Sequence, residues 1–254
     1  MSTRLVSVVV DCSDPRALGS WWARALGWAV TYESSDEVDV APADATPDQL
    51  ELVFVPVPNK KEGPNQVHLD LASTSTGDQQ RTVATLLAAG PRRVDLGQSA
   101  DALFTVLADP EGNEFCVLEP RDEYADTGPI ASIVLNSDDP AESSRFWARA
   151  SGWDLVSSTD SYVGMRAPGG RGPFLDFNAS PGSAITPRPK DRVHLDVAPL
   201  AGEDQEAAST DLVAAGARRI DVGQLDAHGS RPESVTWDVL AAPDGHEFCV
   251  LSSR

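Results

Sequence analysis

The sequence has few of the features that would place it on nucleic acid, in a membrane or around a standard metal motif. Basic residues are scarce: 20 Lys and Arg stand against 39 Asp and Glu, for a formal charge of −19. Phosphate backbones demand a basic footprint, so the expected partners include no nucleic acid. The same acidity argues for no membrane surface, and its plainest consequence is solubility. No apolar run approaches the roughly 18 residues that a membrane helix needs. The opening stretch MSTRLVSVVVDCSD has a short apolar run that meets Asp11 and Asp14 at once; it reads poorly as a secretory signal, and the expectation is a cytoplasmic protein. The only cysteines are Cys12, Cys116 and Cys249, too few for a disulfide framework. Neither a CxxC nor an HExxH motif occurs.

What is present is a repeat. Asp14-Pro15 through Trp21-Trp22-Ala23-Arg24-Ala25-Leu26-Gly27-Trp28 returns as Asp139-Pro140 through Phe146-Trp147-Ala148-Arg149-Ala150-Ser151-Gly152-Trp153, displaced by 125 residues. Val67-His68-Leu69-Asp70 returns as Val193-His194-Leu195-Asp196, displaced by 126. Pro110-Glu111-Gly112-Asn113-Glu114-Phe115-Cys116-Val117-Leu118 returns as Pro243-Asp244-Gly245-His246-Glu247-Phe248-Cys249-Val250-Leu251, displaced by 133. The jump from 126 to 133 puts a seven-residue insertion near Asp226–Pro232, a polar loop by composition. The chain therefore divides into copy one, 1–121, a linker, 122–129, and copy two, 130–254.

Each copy divides again. Leu5–Asp11 is an apolar, β-branched run that reads as a strand. Asp14 suits a helix N-cap, Pro15 the first helical position and Gly27 the end. Strands continue to about Val55. A second strand, Val67–Leu71, precedes a helix from about Asp78 to Gly90 and strands that end in Phe115–Leu118. The unit is βαβββ, four times over, and the fold class is α+β.

These motifs, from strand–Asp-Pro–helix–Gly-Trp through His-Leu-Asp to Pro-Glu-Gly-Asn-Glu-Phe-Cys-Val-Leu, resemble the glyoxalase/bleomycin-resistance/extradiol-dioxygenase superfamily, also called vicinal oxygen chelate. The likeness is nearest to actinobacterial glyoxalase-like proteins. It implies tandem glyoxalase-like domains, each of two paired βαβββ modules whose curled mixed sheets form a cup. It also implies, in metal-using members, ligands on the first and last strands of each module. The matching positions are Ser7, Glu51, His68 and Cys116 in copy one, and Ser132, Asp176, His194 and Cys249 in copy two. Metal-using members carry His or Gln in place of these serines and Glu in place of these cysteines.

Strand parity puts His68 with Asp70, Asp176 with Asn178, and Glu114 with Cys116 on one face each. The candidate ligand-binding set is accordingly Glu51, His68, Asp70, Phe104, Glu114, Cys116, Asp176, Asn178, His194, Asp196, Trp237, Glu247 and Cys249, grouped by copy into two cups. His68 and His194 are candidate general bases, with burial and hydrogen bonding to Asp70, Asp196 or a backbone group as the structural reading. The cofactor is unknown. Glu51, His68, Asp176 and His194 are weak divalent-metal candidates, and a metal is not the favoured reading. Cys116 and Cys249 read as packing before nucleophiles. Phe104 and Trp237 occupy matching places and suit stacking or a core role. The differing strands around Leu52–Val55 and Phe177–Ser180 suggest that the two pockets differ.

Three functions fit. The first is a small-molecule binder of resistance or sequestration type, without a complete family metal site. The second is a lyase or isomerase of the superfamily, using an atypical metal site or a His base. The third is a scaffold with dead cups. A tandem chain pairs its modules internally, so a monomer or weak homodimer is expected.

Overall fold

The computed structural model describes residues 2–44, 49–180, 182, 190–224 and 235–254. The insertion near Asp226–Pro232 lies outside them. The four βαβββ units are all present. The first is β1 (Thr3–Cys12), α1 (Pro15–Leu26), β2 (Ala29–Glu33), β3 (Val38–Ala41) and β4 (Glu51–Pro56). The second is β5 (Val67–Leu71), α2 (Thr76–Ala88), β6 (Arg92–Arg93), β7 (Thr105–Ala108) and β8 (Glu114–Val117). Copy two repeats them as β9 (Ile130–Ser137), α3 (Pro140–Ser151), β10 (Asp154–Ser158), β11 (Tyr162–Arg166) and β12 (Phe174–Ala179). It then adds β13 (Val193–Pro199), α4 (Gln205–Ala214), β14 (Arg218–Arg219), β15 (Asp238–Ala241) and β16 (Glu247–Val250).

Helix boundaries follow the local chemistry. Asp14 accepts from the Ala17 amide at 3.0 Å, Pro15 opens α1, and Gly27 closes it at φ +68°, a backbone state that costs glycine nothing. Asp139, Pro140 and Gly152 do the same for α3. The second-unit helix starts slightly earlier than Asp78, because the Ser75 hydroxyl takes the cap position and accepts from the Asp78 amide.

The strands assemble across the copies. One eight-stranded sheet has the order β14-β15-β16-β13-β1-β4-β3-β2, the other β10-β11-β12-β9-β5-β8-β7-β6. In each, two half-sheets join by one antiparallel seam, β1 with β13 and β5 with β9. Every sheet thus takes one unit from each copy.

Helices α1 and α3 lie between the two sheets. Trp22 of α1 packs edge-on to Phe115 of β8 at 5.1 Å, and Trp147 of α3 does the same with Phe248 of β16 at 5.4 Å. Both tryptophans are buried and send their indole N–H groups to turn carboxylates, Asp109 and Asp244. The turn residue Glu111 also accepts from the backbone amides of Ser13 and Asp14 at the start of α1. These aromatics are core, as their helical spacing suggests.

Candidate functional site

Strand alternation buries one face of each sheet beneath the helices and leaves the other as a concave wall. In the first sheet the register sets Glu51, Ser7, Asp196, Cys249 and Val239 in one row across five strands. The adjoining row runs Asp39, Val53, Val9, His194. These walls enclose cup A, a cavity of 730 Å³. In the second sheet one row is Phe174, Ser132, Asp70, Cys116, Val106 and the next is Gly164, Asp176, Val134, His68. They enclose cup B, of 700 Å³.

All thirteen candidate ligand-binding residues lie on one of these walls. Cup A receives Glu51, His194, Asp196, Trp237, Glu247 and Cys249. Cup B receives His68, Asp70, Phe104, Glu114, Cys116, Asp176 and Asn178. The grouping by copy is corrected, however. Ser7 and Glu51 share a cup with His194 and Cys249, whereas Asp176 shares one with His68 and Cys116, on the sheet that carries Ser132. The reason is the seam: β1 hydrogen-bonds to β13, and β9 to β5.

A second correction concerns the carboxylates. Glu51 and Asp176 match in sequence spacing but not in space. Glu51 stands opposite Ser7, while the residue opposite Ser132 is Phe174; Asp176 stands opposite Val134, one row along.

Each floor contains a His–Asp–Cys trio whose ligating atoms all lie within 4.8 Å of one another: His68, Asp70 and Cys116, and His194, Asp196 and Cys249. The His68 Nε2 to Asp70 Oδ1 distance is 3.4 Å, and the His194 Nε2 to Asp196 Oδ1 distance is 3.9 Å. Neither contact is a hydrogen bond, the second being too long and Asp70 Oδ1 having no partner, so the carboxylate anchoring expected for the two histidines is not met. Among the described residues, Asp70 Oδ1, Asp196 Oδ1 and His194 Nδ1 are buried without a hydrogen-bond partner.

Burial dominates the electrostatics. It pushes Asp196, Asp176 and Glu247 up to about 7. Asp39 also reaches about 7, with burial first and repulsion from Glu37 and Glu51 adding to it. Burial pushes the Cys116 and Cys249 thiols far up, and the neighbouring Asp70 and Asp196 charges push them further. Each thiol sulfur lies within 4.8 Å of an oxygen of that carboxyl. Burial drives His194 down to about 4, which keeps its ring neutral at pH 7.

A divalent ion is the group that metal-using members of the superfamily would bring, and the donor chemistry fits it in part. Two donors about 2.05 Å from a tetrahedral zinc lie about 3.3 Å apart, close to the His68–Asp70 spacing. Three donors per cup, one a sulfur, suit zinc better than magnesium. Ser7, on the first strand, already uses its hydroxyl to donate to Asp196 Oδ2 at 3.2 Å.

Several wall residues escape sequence reasoning. Tyr162 donates its hydroxyl to Asp176 Oδ1 at 2.9 Å. Tyr124, from the stretch read as a linker, sits on a 3₁₀ turn, packs edge-on to Phe174 at 5.4 Å and closes one side of cup B. Asp39, Lys190 and Arg254 belong to cup A. Parity would have offered Tyr162 and Asp39 once their strands' inner faces were known; Tyr124 carries no such signal.

Comparison with known proteins agrees with this architecture. The model of the glyoxalase-like domain matches residues 7–118 and again 132–251. The chain belongs to the glyoxalase-like family, within the vicinal oxygen chelate superfamily, as a tandem duplication. Among solved structures it is similar to glyoxalase I from Zea mays, with 14% identity and a TM-score of 0.63 over 99% of this chain and 92% of that one. It is also similar to a putative dioxygenase from Bacillus subtilis, with 12% identity and a TM-score of 0.60 over 98% and 85%. At such identities the likeness concerns the fold alone. No curated protein sequence matches the chain.

Proposed function

We propose that this protein binds small molecules in its two cups, in the manner of a sequestering or resistance protein, without the complete metal site of the superfamily's metal-using members. The carrying observation is the state of the metal positions. Serine stands in both copies where metal-using members carry a strong ligand, and each cysteine is a buried thiol whose proton burial and the neighbouring carboxyl hold in place. Cavities of 700 and 730 Å³ are of the size that takes a drug-like ligand. Phe104 and Tyr124 in one cup, and Trp237 in the other, offer apolar or stacking surface beside the polar floor.

The paired His–Asp–Cys trios favour one second reading, a lyase or isomerase. In it His68, Asp70 and Cys116, and their counterparts in cup A, would hold a zinc-type ion, which supplies Lewis-acid polarisation of a bound oxygen. Without an ion, the neutral His194 ring with its unpartnered Nδ1 has the form of a general base.

Elemental analysis of untagged protein, with His68→Ala and His194→Ala variants, separates the readings. The binder reading expects no stoichiometric divalent ion and folded variants, with ligands then found by thermal shift. About one tightly held ion per cup, lost in the matching variant, would overturn it in favour of the metalloenzyme.

A further inference from the structure

The two cups share a fold and a trio, yet their charges are handled differently. In cup B two of the three wall carboxylates are answered, and Asp70 alone keeps an oxygen, Oδ1, without a hydrogen-bond partner. Glu114 pairs with Lys61 at 2.9 Å and accepts from the Asn65 amide at 3.0 Å, while Asp176 takes the Tyr162 hydroxyl. What else faces the space is mainly uncharged, tyrosine hydroxyls and the amides of Asn136, Asn178 and Gln98, with Arg121 as the one Lys or Arg among the described lining residues.

Cup A is built otherwise. Among the described residues, seven carboxylates line it against two cationic side chains, Lys190 and Arg254. Lys190 is already engaged by Asp11. That leaves Asp36, Glu37, Asp39, Glu51, Asp196 and Glu247 sharing the cup with Arg254. Glu37 and Glu51 both act on Asp39 through charge repulsion. Asp196, only 7% exposed, keeps Oδ1 without a hydrogen-bond partner on the cavity wall, and Asp39 Oδ1 is likewise unanswered. Buried carboxylates without partners are costly unless something positive answers them. Above this floor stand Val9, Val53, Val55, Val239 and the Trp237 ring, an apolar wall for the body of a ligand.

We propose that cup A is a site for an organic cation, an ammonium or guanidinium group carried on an apolar or aromatic body, and that cup B takes uncharged molecules. The cationic head sits among Glu51, Asp39 and Asp196, and the body lies against the valines and Trp237, which adds ring–cation attraction. The equivalent rows of cup B are poorer in free carboxylate: Asp70 matches Asp196, but Phe174 stands where Glu51 does and Gly164 where Asp39 does, and Asp176, at the place of Val53, is answered by the Tyr162 hydroxyl. This inference rests on the binding reading and specifies its ligand chemistry.

The test is calorimetric titration of the full chain with four probes of one size: 2-phenylethylamine, phenylguanidine, 2-phenylethanol and 3-phenylpropionate. The amine and guanidine are expected to bind at least about tenfold more tightly than the alcohol, the worth of one charge-assisted hydrogen bond, and the carboxylate not at all. Glu51→Gln should weaken the amine about tenfold and leave 2-phenylethanol unchanged, while Asp176→Asn in cup B should leave the amine unchanged. The comparison of probes on the unaltered protein needs no variant to fold. Equal affinity for amine and alcohol, equal loss in the two variants, or no amine binding at about 10 mM each overturns the proposal. The binding reading itself fails only if 2-phenylethanol and a wider uncharged panel also leave both cups empty, so the two failures are distinguishable.

Discussion

Asp176 is surrounded by groups that each pull its proton in a known direction, which makes it a measurable reporter. Burial raises its carboxyl to about 7, and the Tyr162 hydrogen bond opposes that only in part. A carboxyl that holds its proton more tightly folded than unfolded stabilises the fold at low pH, and that contribution is lost as pH rises from about 4 to about 7. Asp196 and Glu247 act in the same direction. His194, with its pKa lowered, opposes them below about 6.5, where the unfolded ring gains a proton that the folded ring refuses. The midpoint of thermal unfolding should therefore rise as pH falls from 8 to about 6.5. Asp176→Asn should flatten that rise; a midpoint that falls over this range in the parent protein would contradict the raised carboxyls. The cysteines give a second expectation at this scale. Cys116 and Cys249 are buried thiols held protonated, so alkylation by iodoacetamide near pH 8 should be far slower than that of a free thiol. Labelling of the native protein at the rate of a free thiol would place them in reach of solvent.

At the scale of single elements, sequence was most legible where one residue type has one conformational use. Asp14, Pro15 and Gly27 mark both ends of α1 because capping, a fixed φ and a left-handed backbone are local needs. Parity along a strand likewise placed His68 beside Asp70 and Glu114 beside Cys116. What stayed hidden was register. Slipping β12 by two residues against its neighbour preserves which face each side chain takes, so alternation cannot reveal it. Glu51 and Asp176 consequently looked equivalent and are not. Gly164 belongs to the same lesson. A β-carbon there would lie 2.4 Å from the Tyr162 hydroxyl and 2.6 Å from Ser157 Oγ. Gly164→Ala should thus break the Tyr162–Asp176 contact and cost about 1–3 kcal/mol of stability, read as a drop in denaturant midpoint. Gly202, with nothing within 4 Å but φ +86°, should lose only about 1 kcal/mol on the same change, from backbone strain alone.

Across the whole molecule, the repeat announced what was copied but not which unit pairs with which. Pairing within a copy or between copies leaves every strand the same inner face, and the choice is made by the β1–β13 and β5–β9 seams, distant in sequence. Both seams are internal to one chain, so light scattering is expected to report a monomer. Residues 1–121 made alone would expose β1 and β5 as unpaired edges, which invite association. That fragment should self-associate or precipitate, and mixing it during refolding with residues 130–254 should restore a one-to-one complex. Two fragments that each stay monomeric and soluble, with no affinity for each other, would contradict the seams.

The seams also bear on inheritance. Were two identical copies to associate as separate chains in this arrangement, both cups would be the same, and any substitution would appear in each. Joined in one chain, each of the four units serves one cup only. A change such as the phenylalanine at 174, facing the glutamate at 51 across the pseudo-symmetry, alters one site and spares the other. Duplication within one chain is what lets the two cups differ without a second protein.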